Sequence, residues 1–279
     1  MIVMLKKAFG FLGVLAALSL AAGTAGAHVL QGPHIIDLAV KKIVRPVGLV
    51  VHQQTRVVVA PEGEDAWNQT EETLWFSYPG KLRWETVEGA PRTLGVRTDN
   101  RFAKVVDGIL VSSAPSGVDL YTDPLLFRDR ESLQHRLEAT GVDVTQSSLQ
   151  RYEETVCYVV GDGKNDLAST FWVDKETLFP VRYISFGSGR RVEILYRNWH
   201  RVSRTWHPME ISIRVDDVPV TVINTISFEL ESSFSASLFD VDQLLDSYPE
   251  FQGVEASPEP AREDALEPFD PESKVLRQE

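Results

Sequence analysis

Two long blocks of the chain, residues 48–113 and 155–230, alternate side chains with a period of two and are rich in Val, Thr and aromatics. Successive side chains of a strand point to opposite faces, so this pattern belongs to a sheet and not to packed helices. Turn residues cut the blocks into short runs. Strands are expected near 48–60, 71–78, 81–88, 92–99, 101–106 and 108–113, with a short one near 118–121. A second set is expected near 155–160, 168–174, 179–186, 190–199, 205–215 and 218–230. Most connections are short and polar, as antiparallel hairpins require. The exception is PEGEDAWNQTEE, an acidic loop expected to expose Trp67.

One hairpin sharpens the problem. In TLWFSYPGKLRWE, residues 73–85, Tyr78-Pro79-Gly80-Lys81 has turn chemistry. A two-residue turn there sets 77 opposite 82 and 75 opposite 84. One face then carries Trp75, Leu82 and Trp84, and the other Leu74, Phe76, Arg83 and Glu85. A sheet with apolar bulk on both faces must be covered on both, or must hold something.

Helical spacing interrupts the sheet pattern. His34–Val44 has apolar residues at 35, 36, 39, 40, 43 and 44, and Pro46 ends it. Asp123-Pro124 offers an N-cap and a first-turn proline. Leu125, Leu126, Leu133 and Leu137 give a partial stripe after it, Gly141 suits the stop, and a short helix is expected over 145–151. The expectation is one α+β domain, residues 28–250, with about 11–12 antiparallel strands in a large curved sheet and helices segregated to one side.

The ends read differently. Lys6 and Lys7, the apolar run Ala8–Ala22 and Ala25-Gly26-Ala27 have the layout of a secretory signal peptide cleaved after Ala27. Residues 251–279 are rich in Pro and Glu and are expected to stay disordered. The net charge is −12, and losing two lysines with the leader takes it to −14. That argues against nucleic acid as a partner. Cys157, in VCYVV, is the sole cysteine, so no intramolecular disulfide forms and no cysteine near the cleavage site can take a lipid. An exported, untethered, monomeric protein is expected.

The search for chemistry is mostly negative. No nucleophile elbow, zinc-protease helix, P-loop or dinucleotide fingerprint is present. Residues 161–166 fit a hairpin turn better than a calcium loop. His200 and His207 flank Trp206 without a second ligand pair nearby, and Asn68-Gln69-Thr70 matches only a short glycosylation pattern. No cofactor or metal is implied. What remains is the aromatic content of the strands, and strand spacing alone fits a double-sided core better than a cavity.

TLWFSYPGKLRWE resembles the strand–turn–strand pattern of the periplasmic outer-membrane lipoprotein carriers, the LolA/LolB-like family, at Leu74, Trp75, Pro79, Leu82 and Trp84. VVDGILVSS, 105–113, resembles their next hairpin, and STFWVDKETLFPVRY, 169–183, a later one. The resemblance covers most of 34–245. It implies an incomplete barrel whose concave side is covered by helices, and a non-enzymatic carrier shielding acyl chains of lipoproteins or another lipid in transit to the outer membrane. Inner-membrane donor and outer-membrane acceptor proteins would be its partners. On that reading Trp75, Leu82, Trp84, Phe171 and Val173 form a cavity wall, and Leu126, Leu133 and Leu137 the lid. The family commonly has Arg before the turn proline, holding the lid closed; here Tyr78 stands there. A lipid sensor signalling to a protein partner, and a hydrolase with dispersed catalytic residues, are the alternatives.

Overall fold

The computed structural model describes residues 29–58, 67–98, 101–186 and 189–248. The leader and the acidic tail expected from the sequence lie outside them, as do residues 61–66, the first half of the PEGEDAWNQTEE loop. Trp67 itself opens a strand and is exposed.

The first meander comprises β1 (Gly48–Val58), β2 (Trp67–Ser77), β3 (Lys81–Gly89), β4 (Thr93–Thr98), β5 (Arg101–Val106) and β6 (Ile109–Ser112). The second comprises β7 (Ser147–Tyr152), β8 (Thr155–Val160), β9 (Thr170–Asp174), β10 (Pro180–Ser185), β11 (Val192–Val202), β12 (Thr205–Val215) and β13 (Val218–Glu231). All thirteen strands form one antiparallel sheet, ordered β6-β5-β4-β3-β2-β1-β13-β12-β11-β10-β9-β8-β7. The chain therefore starts in the middle, runs out to one edge, crosses over, and returns from the other edge until β13 pairs with β1. The two edges stay apart, so the curved sheet is an incomplete barrel.

The crossing carries the helices. It holds a 3-10 segment, η1 (Gly117–Thr122), then α2 (Asp123–Leu126) and α3 (Arg130–Ala139), while α1 (Gly32–Ile43) precedes the sheet. Ile35, Ile36, Ala39 and Val40 of α1, Leu125 and Leu126 of α2, and Leu133 and Leu137 of α3 pack into one core. The inner-face residues Leu49, Val51, Leu74, Phe76, Phe171 and Tyr183 belong to it too. The α+β architecture and the helix-covered concave face follow the sequence expectation.

Several elements depart from it. The region 118–121 is not a strand: Asp119 accepts from the Ser116 backbone and hydroxyl at 2.8 and 2.6 Å, and this capping box starts a 3-10 turn instead. The region 145–151 is not a helix: Ser147–Tyr152 is an edge strand, and its pairing with β8 overrides a polar local sequence with no clear period. The 124–139 helix is two helices broken at 127–129, where Asp129 caps the second by accepting from the Ser132 N–H at 2.9 Å.

The 73–85 hairpin is also shifted by one residue. Tyr78, Pro79 and Gly80 form a three-residue connection, with Gly80 at φ 75°, and Ser77 pairs with Lys81. Leu74 then pairs with Trp84 and Phe76 with Leu82 on the inner face. Trp75 pairs with Arg83 and turns outward, so it does not share a wall with Leu82 and Trp84. A one-residue slip moves every side chain to the other face. Outside, Trp75 joins Val96, Ala103 and Val105 under a C-terminal cover that the sequence reading left unassigned: η2 (Ala236–Phe239) and α4 (Val241–Ser247), through Phe239, Val241 and Leu244. Both faces of this hairpin are covered by the chain itself.

Candidate functional site

The inner hollow is largely filled, but not entirely. Between β1–β5, the ends of β12 and β13, and η1 lies a cavity of about 140 Å³. Leu82, Trp84, Phe102, Val118, Ile213 and Ile223 supply its apolar lining. Its size matches a cavity that holds one benzene-sized molecule. Trp84 can lie flat there because its cross-strand partner is Gly95; a Cβ at 95 would overlap the indole ring. Phe102 completes the wall, with its ring centroid 5.6 Å from that of Trp84.

The cavity also has a polar side. Glu72 accepts from Gln53 Nε2 at 2.9 Å and from Thr55 Oγ1 at 2.6 Å. Burial, and then the nearby Glu72 charge, push the Tyr121 hydroxyl far above its ordinary range. Lys104 faces Asp119 of η1 at 3.4 Å. Strand alternation puts Arg97 on the same inner face, where it reaches the crossing segment.

That segment is held down by a chain of polar contacts. Arg97 Nη1 donates to Asp123 Oδ1 at 2.7 Å, with both side chains buried, and Arg136 of α3 approaches Asp123 Oδ2 at 3.5 Å. Tyr196 Oη donates to the Tyr121 carbonyl at 3.0 Å. Tyr78 Oη donates to the Leu125 carbonyl at 2.9 Å. The Arg128 guanidinium stacks 5.1 Å from the Tyr78 ring, and its Nε donates to the same carbonyl at 2.8 Å. Burial pushes the Tyr78 hydroxyl up to about 12, so it stays a protonated donor at neutral pH. The position before the turn proline thus contacts the crossing segment through a tyrosine.

Of the residues expected at the site, Leu82 and Trp84 line the cavity. Phe171, Val173, Leu126, Leu133 and Leu137 are buried in the adjoining inner core. Trp75 is on the outer face. Sequence reasoning did not nominate Arg97, Asp123 as a charge, Tyr121 or Arg128. The available signal was Arg97, a charged residue in a strand whose face is otherwise apolar or small. His200 and His207 are cross-strand partners, but burial, and then the Arg128 charge, push the His207 imidazole down to about 3. No group of potential metal ligands occurs among the described residues. No described helix is long and apolar enough to cross a membrane.

A thirteen-stranded open antiparallel sheet, with its concave face covered by helices, defines a half-barrel fold. Comparison with solved structures gives it a name: the chain has the LolA-like fold. A domain from Vibrio parahaemolyticus described as an outer membrane lipoprotein-sorting protein superposes with a TM-score of 0.53 at 10% identity, covering 76% of this chain and 97% of that one. A LolA superfamily protein from Nitrosomonas europaea gives 0.52 at 11% identity, covering 77% of this chain and 100% of its own. No family model matches the chain, and no curated protein matches it in sequence.

Proposed function

We propose that this protein is a periplasmic carrier that shields acyl chains, of lipoproteins or of another lipid, on the inner face of its half-barrel. The observation that carries this reading is the partly apolar cavity between that face and the crossing segment. Each exposed methylene costs roughly 0.8 kcal/mol in water, so a long chain must be buried to travel. The cavity, at about 140 Å³, admits only a few methylenes. Loading therefore requires η1, α2 and α3 to move off the sheet, which enlarges the cavity along Leu82, Trp84 and Phe171. Donor and acceptor proteins at the two membranes would supply and take the cargo.

The test is a lipid extraction. Full-length protein purified from the periplasm is extracted and its lipids identified by mass spectrometry, and the emptied protein is then titrated with a spin-labelled fatty acid. Co-purifying acyl lipid in stoichiometric amount, with immobilisation of the label, is the expected result. Protein that carries no lipid and immobilises no label ends the carrier reading.

A further inference from the structure

Arg128 is the one buried arginine of the crossing segment without a carboxylate partner among the contacts of the described residues. It is 4% exposed. Its Nε donates to the Leu125 carbonyl at 2.8 Å, and its Nη1 donates to the Val44 carbonyl at 3.2 Å and to Thr205 Oγ1 at 2.6 Å. A guanidinium has five N–H groups. Those three bonds use all of Nε and Nη1 and leave both hydrogens of Nη2 unused, and Nη2 is buried with no acceptor. The contrast with Arg97, which is paired with a buried carboxylate, is internal to the molecule.

A second orphan lies beside it. His207 Nδ1 is also buried without a partner. Thr205 and His207 point to the same face of β12, roughly 7 Å apart along the strand. Phe76 joins the group: its ring is 6.2 Å from that of Tyr78 and 6.3 Å from that of His207. Arg128 stacks on Tyr78. Arg128 and His207 are thus linked through the Tyr78 and Phe76 rings, two nitrogen centres with spare capacity, one of them carrying an uncompensated charge. A buried cation supported only by neutral oxygens is costly, and a ligand anion brings back what solvent supplied. Charge-assisted bonds from guanidinium to carboxylate or phosphate are about twice as strong as those to neutral carbonyls. An anion therefore competes well with the Val44 and Leu125 carbonyls for this side chain.

We infer that Arg128, with His207 beside it, receives the oxyanion head group, a carboxylate or a phosphate, of an acyl-chain amphiphile whose tail lies along Phe76 and the inner face. This rests on the carrier reading and narrows its cargo to anionic amphiphiles. Engaging the head group draws Arg128 off the Val44 and Leu125 carbonyls, so the same contact that selects the ligand loosens the crossing segment.

The experiment uses the full-length protein at pH 8. Binding isotherms are recorded for dodecanoate, dodecyl phosphate and dodecanol, and for acetate and inorganic phosphate as chain-free anions. The same set is run on Arg128→Gln and on Arg128→Lys, each checked for native circular dichroism. The expected result is at least tenfold tighter binding of the two anionic chains than of dodecanol. Arg128→Gln abolishes that preference, whatever it does to dodecanol binding itself, and Arg128→Lys recovers part of it. Acetate and phosphate bind at least a hundredfold more weakly. Dodecanol binding as tightly as dodecanoate overturns the head-group inference and leaves the carrier reading standing. Preference retained in both variants overturns the assignment to Arg128. Chain-free phosphate binding as tightly as dodecyl phosphate makes this a free-anion site and overturns the amphiphile. Failure of every chain to bind removes the carrier reading and this inference with it. Because the head-group comparison is made in the unaltered protein, the inference remains testable should either variant misfold.

Discussion

Arg97 of β4 and Asp123 of α2 form an ion pair of 2.7 Å with both side chains buried, and this pair ties the sheet to the segment that crosses its concave face. The Phe127 ring lies 4.9 Å from the Arg97 guanidinium and 5.7 Å from that of Arg136, roofing the pair. Replacing one member leaves a buried charge without its partner, at a cost of about 3–5 kcal/mol. Asp123→Asn is therefore expected to lose several kcal/mol in urea unfolding. Hydrogen exchange over residues 117–129 should accelerate more than exchange in β11–β13. The double variant Arg97→Met with Asp123→Leu should recover part of the loss, because it removes both charges. Uniform acceleration across the sheet would mean that the pair supports the whole fold and not the segment.

The Tyr78 hydroxyl is a smaller fastener. It is one of two donors to the Leu125 carbonyl, the other being Arg128 Nε. Tyr78→Phe keeps the ring against Phe76 and under Arg128 and removes only that bond. The expected cost is about 0.5–1.5 kcal/mol, with faster exchange confined to residues 125–128. If Tyr78→Phe leaves exchange there unchanged, Arg128 alone holds this corner.

How much of this was legible in the sequence depends on what decides each feature. The strands over 48–113 and 155–230 were, because alternation over two blocks leaves little else. The helical stripe of α1 was also visible, since 35, 36, 39, 40 and 43 are its buried positions. Two elements were exchanged: η1 is set by the Ser116–Asp119 cap, a local signal that was passed over, and β7 by its neighbour β8, a tertiary one. The inner face was harder to assign. Trp75 and Trp84 looked equivalent until the number of residues in the turn separated them, and turn length decides face parity. The polar fasteners could not be found from spacing, because Arg97 meets Asp123 only once the chain has turned back over its own sheet.

Gly95 gives the cavity wall a sharp requirement. The Trp84 ring occupies the space above it, and a Cβ there would overlap Cζ2, Cη2 and Cε2 of the rigid indole. Gly95→Ala should cost about 1–3 kcal/mol by overpacking. Adding Trp84→Leu should return most of that loss, since the obstacle is the ring itself. Urea midpoints of the two single variants and the double variant decide this, and additive losses would refute the contact.

Cys157 should be chemically silent. It is buried, and burial pushes its thiol up to about 11. The thiolate is the reactive form, so little of it exists at neutral pH. A maleimide reagent at pH 7 should label the unfolded chain fully in urea and the native protein at least a hundredfold more slowly. Rapid native labelling would place β8 in a locally open state.

Acid sensitivity should centre on His207. In the unfolded chain an ordinary histidine takes up its proton near pH 6.5, whereas burial, and then the Arg128 charge, hold the folded imidazole neutral down to about 3. Between these values the unfolded state binds a proton that the folded state refuses. The stability due to neutral His207 is thus fully present above pH 6.5 and is lost as the pH falls toward 3, by about 1.4 kcal/mol per pH unit inside that window. Carboxylates titrate in the lower part of the same range, so the difference from His207→Gln isolates the histidine. Urea unfolding of both proteins at pH 7, 6, 5 and 4.5 should show a steeper loss for the unaltered protein. Parallel curves would mean that His207 is protonated in the fold, which the adjacent, uncompensated Arg128 guanidinium opposes. An anion seated on Arg128 would flatten the difference, so repeating the series with saturating dodecyl phosphate, which stays anionic throughout, should bring the two slopes together.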